Sequence, residues 1–390
     1  MAYTSSFANR WYCALEGTYG QVPAITAANR IPAVKLGAQQ QRAKSQRKDK
    51  TGSRTFPGNP VGMRRQTSFD LTSYMRDWPN TAQLPTHGPL VSAAMGGAGA
   101  LSVGGSATGG SSTTQLEFTA AHGLIVGQAI ACGGEMRFVT AVPNSQAVTL
   151  NAALSAAPVG GTPIGATATY TLASELPSVS VFDYWDPSSS VQRVVSGAAV
   201  DQMTISLNGD FHQFQFKGSA QDLLDSASFV TGQGGATVFP VEPAQTGFSY
   251  SPIPGNLGEV WIGAVPTQFF TVSNATIQLA NNLNLRLNEY GSILPQDIAP
   301  GSPRQVTLTL ELYGQSDTAT AALYQAARQQ TPISMMFQMG QTNGQLVGVY
   351  LQGVVPEVPE FDDSDTRLKW KFSNTRAQGT GDNEMVVAFG

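Results

Sequence analysis

Apolar and polar residues alternate along much of the second half of this chain. Met203, Ile205 and Leu207 are interleaved with Gln202, Thr204 and Ser206, and Leu283, Leu285 and Leu287 with Asn284, Arg286 and Asn288. Val306, Leu308, Leu310 and Leu312 alternate with Thr307, Thr309 and Glu311, and Leu368, Trp370 and Phe372 with Arg367, Lys369 and Lys371. A period of two puts successive side chains on opposite faces, so these runs predict antiparallel strands with one buried and one polar face. One segment departs from the rule. Ala319, Leu323, Ala326 and Ala327 have helical spacing, follow the potential caps Ser316 and Asp317, and stop at Thr331-Pro332. They predict one amphipathic helix over 317–330, laid on a sheet.

The first half is less regular. A strand pattern over 11–19 gives way to a polar, basic stretch over 39–58 that carries Gln39-Gln40-Gln41 and ends in the breaker Phe56-Pro57-Gly58-Asn59-Pro60. With almost no apolar residue it reads as a long loop or arm, residues 39–60. Strand pattern resumes over 65–75, and 89–95 reads as a short apolar helix ended by Gly96-Gly97. Seven glycines between Gly96 and Ser112 have the composition of a flexible linker and mark a boundary. Beyond it, short β-like pieces at 115–119, 127–130, 136–142, 147–150 and 168–172 are separated by glycine and proline turns. They predict a small barrel or sandwich over 98–175, inserted into a host domain made of 1–95 and 176–390.

Composition sharpens this picture. Charged residues make up only 12% of the 390, about half the usual share, which suits a subunit packed against copies of itself. The net charge of −4 hides an asymmetry. Between Lys35 and Arg65 nine basic residues face Asp49 alone, a net of +8, which leaves −12 for the rest. One basic arm serves an acidic body. The arm carries Arg42, Lys44, Arg47, Lys48, Lys50 and Arg54. Such a cluster gains affinity for nucleic acid by counterion release, yet no aromatics are interleaved, and docking on the acidic face of a neighbouring copy accounts for both halves of the asymmetry. Cys13 and Cys132, far apart and without metal-ligand spacing, read as reduced. No long apolar run and no secretory leader are visible, so a soluble cytosolic product without membrane contact is expected.

Catalytic chemistry is hard to assemble. No nucleophile elbow, phosphate-binding loop or zinc-protease motif occurs, and the glycine cluster lacks the lysine and flanking strand of a phosphate cradle. His87 and His122 sit beside turn residues and read as surface positions, and His212 shares parity with Phe214 and Phe216 at the end of an apolar strand face. None has a visible catalytic partner. The acidic stretch 357–365 lacks the glycine and distal glutamate of a calcium loop, so a solvated turn or an acidic patch is expected rather than a metal site. Asn274-Ala275-Thr276 matches a glycosylation sequon by chance. Catalytic residues, cofactor and metal are therefore all expected to be none.

The order of these features resembles the tail tube proteins of long-tailed bacteriophages. Glu16-Gly17-Thr18-Tyr19-Gly20 with Pro23 is similar to the family's opening strand and turn. The polar loop around Lys50-Thr51-Gly52-Ser53-Arg54, followed by strand 64–71, resembles its arm, and Val195-Ser196-Gly197-Ala198-Ala199-Val200-Asp201 and helix 317–330 leading into 333–339 resemble its later half. The resemblance implies a mainly β fold of two packed antiparallel sheets with a flanking α-helix, here with an inserted small β-barrel or sandwich. It also implies stacked, hexameric rings whose lumen conducts DNA, located in the virion tail after assembly in the host cytoplasm, with tape-measure, tail terminator and distal tail proteins as partners. Arg42, Lys44, Arg47, Lys48, Lys50 and Arg54 are then candidates for contacts between rings, and Glu289 and Glu311 for the lumen. A distal tail or head-to-tail connector ring is the alternative, and the tube of a contractile injection apparatus a further one.

Overall fold

The computed structural model describes residues 3–44, 49–56, 58, 62–263 and 267–390. Nineteen strands form one continuous antiparallel network that folds over into two packed layers, and six more form a separate small sheet.

The first layer is built from the alternating runs. Its strands lie in the order Ala33–Arg42, Arg65–Tyr74, Gln213–Ala220, Arg193–Leu207, Val272–Ala280, Gln305–Tyr313, Lys369–Ala377 and Glu360–Asp362. Leu71, Met203, Ile205, Phe214, Phe216, Ile277, Leu308 and Leu310 point inward and are fully buried. The second layer runs Gly258–Ile262, Ile333–Met339, Val347–Val355, Val386–Phe389, Thr167–Thr171 and Ala100–Ser102. The layers meet at one corner, where Val354 pairs with Ala377, and their inner faces share one core. Phe214 of the first layer and Phe389 of the second stand 6.1 Å apart, ring to ring.

The long strand Arg193–Leu207 does double service: its first half pairs with Val179–Trp185 and Asp222–Asp225 in a side wing that also holds Asn9–Leu15. Helix α1, Gly88–Met95, is buried almost all round against this wing and ends at Gly96, whose φ of 89° suits glycine. Helix α2, Thr318–Gln329, has the expected amphipathic form. Asp317 caps it by accepting from the Ala319 and Thr320 N–H groups at 2.9 and 2.8 Å, and Leu323, Ala326 and Ala327 are buried.

The small sheet runs Gly105–Ser106, Pro163–Gly165, Ala129–Cys132, Glu135–Asn144, Ala147–Leu150 and Gln115–Glu117. A bridge between Ala107 and Phe118 joins its two ends, closing a barrel around Leu116, Phe118, Ile130, Val139, Val148 and Ile164.

Three local expectations change. Residues 168–172, grouped by sequence with the insert, belong to the second layer, where Thr167–Thr171 pairs with Val386–Phe389 and with Ala100–Ser102. Several glycines after α1 are close-approach positions rather than a loose linker: a Cβ at Gly97 would lie 2.3 Å from the Thr171 carbonyl oxygen, and one at Gly104 2.2 Å from that of Ile164. The run 283–287 is a short ribbon, Leu283–Leu285 against Ile298–Pro300, outside both layers, so its leucines are only partly covered.

Candidate functional site

Opposite the core, the first layer has a polar face whose side chains are partly or fully exposed among the described residues. Register aligns its side chains in rows. Thr72, Gln215, Thr204, Gln278 and Thr307 stand side by side across five strands, and Tyr74, Gln213, Ser206, Thr276 and Thr309 form the next row. Across these five strands the rows carry no charge, but register extends the first row to Lys35 beside Thr72 and to Arg376 beside Thr307, so it ends on a cation at each side. Further along the face Lys217 lies 3.8 Å from Asp70 on one side, and on the other Glu311 stands opposite Lys371. Lys371 in turn reaches Asp362 at 2.7 Å, and that ammonium holds the Asp362 carboxyl well below the usual carboxylate range. The middle of the face thus has hydrogen-bonding capacity without charge, and cations stand at its two lateral edges.

The lumen candidates separate. Glu311 lies on this polar face, whereas Glu289 lies in segment 286–297, where it pairs with Arg286 and its carbonyl oxygen accepts from Arg64 at 3.1 Å. The arm begins as strand: Gln39, Gln41 and Arg42 pair with Ser68, Gln66 and Arg65, and the Ala43 N–H donates to the Arg64 carbonyl oxygen at 2.8 Å. Sequence read 39–42 as loop because it lacks apolar residues. The Gln40 amide instead donates to Asp222 at 2.6 Å, so hydrogen bonding holds the strand in place of burial. Arg42, Lys44, Lys50 and Arg54 are exposed, and Arg47 and Lys48 lie outside the described residues.

His87, expected at the surface, is buried, with Nε2 2.9 Å from the Ser73 hydroxyl, and burial pushes its pKa down to about 3. His212 is buried against the Leu257 carbonyl oxygen at 3.0 Å, and His122 accepts from the Leu124 N–H at 2.9 Å within its own loop. The two cysteines are free and buried. In the acidic stretch, Asp365 lies 3.8 Å from Lys369. Among the described residues no three His, Cys, Asp or Glu side chains gather as a metal site would require, and no helix is long and apolar enough to cross a membrane.

Sequence reasoning missed two polar centres. Glu16 is a buried carboxylate ringed by donors, and Arg137 is a buried cation joining the barrel to the body. The available signal for Arg137 was its isolation, since it is the one cation between Ser102 and Thr167.

No curated protein matches this sequence. The profile of the phage tail tube protein family matches residues 145–389, which takes in every strand of the polar face except Ala33–Arg42 and Arg65–Tyr74. That family is structural rather than enzymatic. With well over half of its length matched and a mainly β, antiparallel fold, the chain belongs to the phage tail tube protein family and is a structural component of the virion tail.

Proposed function

We propose that this subunit assembles into stacked hexameric rings, with the polar face of the first layer lining a lumen through which DNA passes during ejection. The observation that carries this reading is a polar face, uncharged in its rows over five middle strands, that is flanked by two edge strands. Among the described residues, Ala33–Arg42 is paired only with Arg65–Tyr74, and Glu360–Asp362 only with Lys369–Ala377. Exposed edges template association, and pairing them between neighbours closes a ring in which the polar faces run on as one barrel. Over the five middle strands the rows of glutamine, threonine, serine and tyrosine offer DNA phosphates no cation, while Lys35 and Arg376 end the first row at the edges where neighbouring subunits would pair.

Register supports head-to-tail stacking as well. The basic arm leaves the layer beside Arg42 and Arg65, while Asp210, Asp317, Asp363 and Asp365 follow the opposite ends of the same strands. Stacked copies therefore bring opposite charges together, and the arm residues Arg42, Lys44, Lys50 and Arg54 are the contacts between rings. The tube would join tape-measure, tail terminator and distal tail proteins at its ends, after assembly in the host cytoplasm. Electron microscopy of the purified protein tests the reading. Hollow filaments of stacked rings are expected, a single ring that never stacks would point to a connector, and a persistent monomer would overturn the proposal.

A further inference from the structure

We infer that the barrel is a rigidly seated exterior module of the tube, facing away from the bore; this rests on the lumen reading above.

The two layers present opposite outer faces. One is the polar face of the first layer. The other, on the second layer, is apolar: Trp261, Met336, Tyr350, Val386 and Ala388 lie there and are covered by Ala129, Ala131, Met136, Phe138 and Ala152 of the barrel. The barrel and the proposed lumen face are therefore separated by the full thickness of the sandwich. A ring that turns the first layer inward necessarily turns the barrel outward.

The module is seated, not tethered. Both of its connections leave from neighbouring residues, because Ser102 and Thr167 are direct partners in the second layer. At the seam, Arg137 is fully buried. Its guanidinium donates to the Ala153 carbonyl oxygen at 2.9 and 3.0 Å, pairs with Glu135, reaches Glu259 of the body at 3.5 Å and lies 4.7 Å over the Trp261 ring. The Gln338 side chain of the second layer accepts from the Met136 N–H at 2.6 Å and donates to the Gly134 carbonyl oxygen at 3.1 Å. A buried cation bound from both sides fixes orientation, which a hinge of glycines would not.

What the module turns outward has almost no charge. Between Ser102 and Thr167 the charged side chains are Glu117, Glu135 and Arg137, and the last two are spent at the seam. The far end offers the turn at Asn144 and Ser145 and the exposed apolar residues Ile125, Val126 and Val142.

The test uses assembled tubes of full-length protein carrying Ser145→Cys or Thr204→Cys, treated with biotin-maleimide and then streptavidin. Cys13 and Cys132 are buried, so background labelling is low. Decoration along the tube walls by Ser145→Cys, equal to that of the unassembled subunit, with Thr204→Cys protected only in tubes, is the expected result. Protection of both positions would place the barrel inside the wall and overturn this inference while leaving the lumen reading intact. Wall decoration through Thr204→Cys would overturn the lumen reading and the inference with it. Loss of assembly by Ser145→Cys alone would make that turn an assembly contact and count against an exterior position.

Discussion

Glu16 accepts a hydrogen bond from the backbone N–H of Gly197 at 2.7 Å, tying the end of strand Asn9–Leu15 to the first half of the long strand Arg193–Leu207. The same carboxylate accepts from the Gly20 N–H at 2.7 Å and from the Ser178 and Ser180 hydroxyls at 2.6 Å each. Gly197 itself has φ of 62°, and a Cβ there would fall 2.6 Å from that of Gln221, so the strand bends at this point only with glycine. Two segments that resemble the family separately, 16–20 and 195–201, are thus one structural unit. Glu16→Ala leaves four donors without a partner in a buried site and should cost about 3 kcal/mol or more. Glu16→Gln should fall between, since an amide presents its NH2 to donors on one side. Urea unfolding measures both, and an alanine variant within about 0.5 kcal/mol of the parent, the range of a surface change, would refute the role.

Acid should weaken this protein through His87. Burial, with a further contribution from the Arg76 charge, pushes the folded imidazole down to about 3, whereas an unfolded histidine protonates near its ordinary value of about 6.5. Between those limits the unfolded chain binds more protons, so stability is fully present above about pH 6.5 and is lost progressively as pH falls toward 3. From pH 7 to pH 5 the loss from this group should be about 2 kcal/mol. Denaturation at the two pH values in the parent and in His87→Gln reads it directly. The variant should be less stable at pH 7, because the Ser73 hydroxyl loses its fitted partner, yet show the shallower dependence on pH; equal slopes would remove His87 as the cause.

The sequence displayed the strands whose two faces differ and the helix whose caps are local, because both signals repeat within a few residues. It did not display His87 as buried, since a turn beside Gly88-Pro89 can lie under a second layer that is not visible locally. Thr167–Thr171 looked like part of the insert because it follows the barrel in the chain, while its partners, Val386–Phe389, are at the far end of the sequence. The polar face could be foreseen from Thr307, Thr309 and Glu311, but Glu289, in a stretch with the same alternation, belongs to a segment beside the ribbon. Alternation reports a two-sided environment and leaves open which sheet supplies it.

Arg137→Met should loosen the barrel before it unfolds the body. Truncating the cation leaves Glu135 and Glu259 close together without their shared partner and removes the contact over Trp261, a change worth about 3 kcal/mol or more for a buried pair. Faster proteolysis within 103–166 and altered Trp261 fluorescence are expected, with the first layer still protected in hydrogen exchange. Arg137→Lys should rescue only in part, because an ammonium cannot span two carboxylates and the Ala153 carbonyl with a planar fork. Full rescue by lysine would reduce the site to a simple charge requirement.

Neutralising the arm should separate folding from assembly. Arg42, Lys44, Lys50 and Arg54 are exposed, so replacing all four with glutamine should leave the subunit's unfolding midpoint almost unchanged, as surface substitutions do. If the arm holds neighbouring rings by charge, the same variant should form shorter tubes or isolated rings. The parent tubes should respond to salt in the same direction, since raising ionic strength from about 0.01 M to 1 M shortens the Debye length from about 30 Å to about 3 Å and screens contacts between exposed groups. Ring closure through paired strand edges would be far less sensitive, because backbone hydrogen bonds are not screened in this way. Light scattering and electron microscopy across a salt series therefore distinguish the two contacts within one preparation. Rings that persist while stacking fails identify the arm as the joint between rings, whereas tubes of full length from the four-glutamine variant at every salt concentration would show that stacking rests on other surfaces.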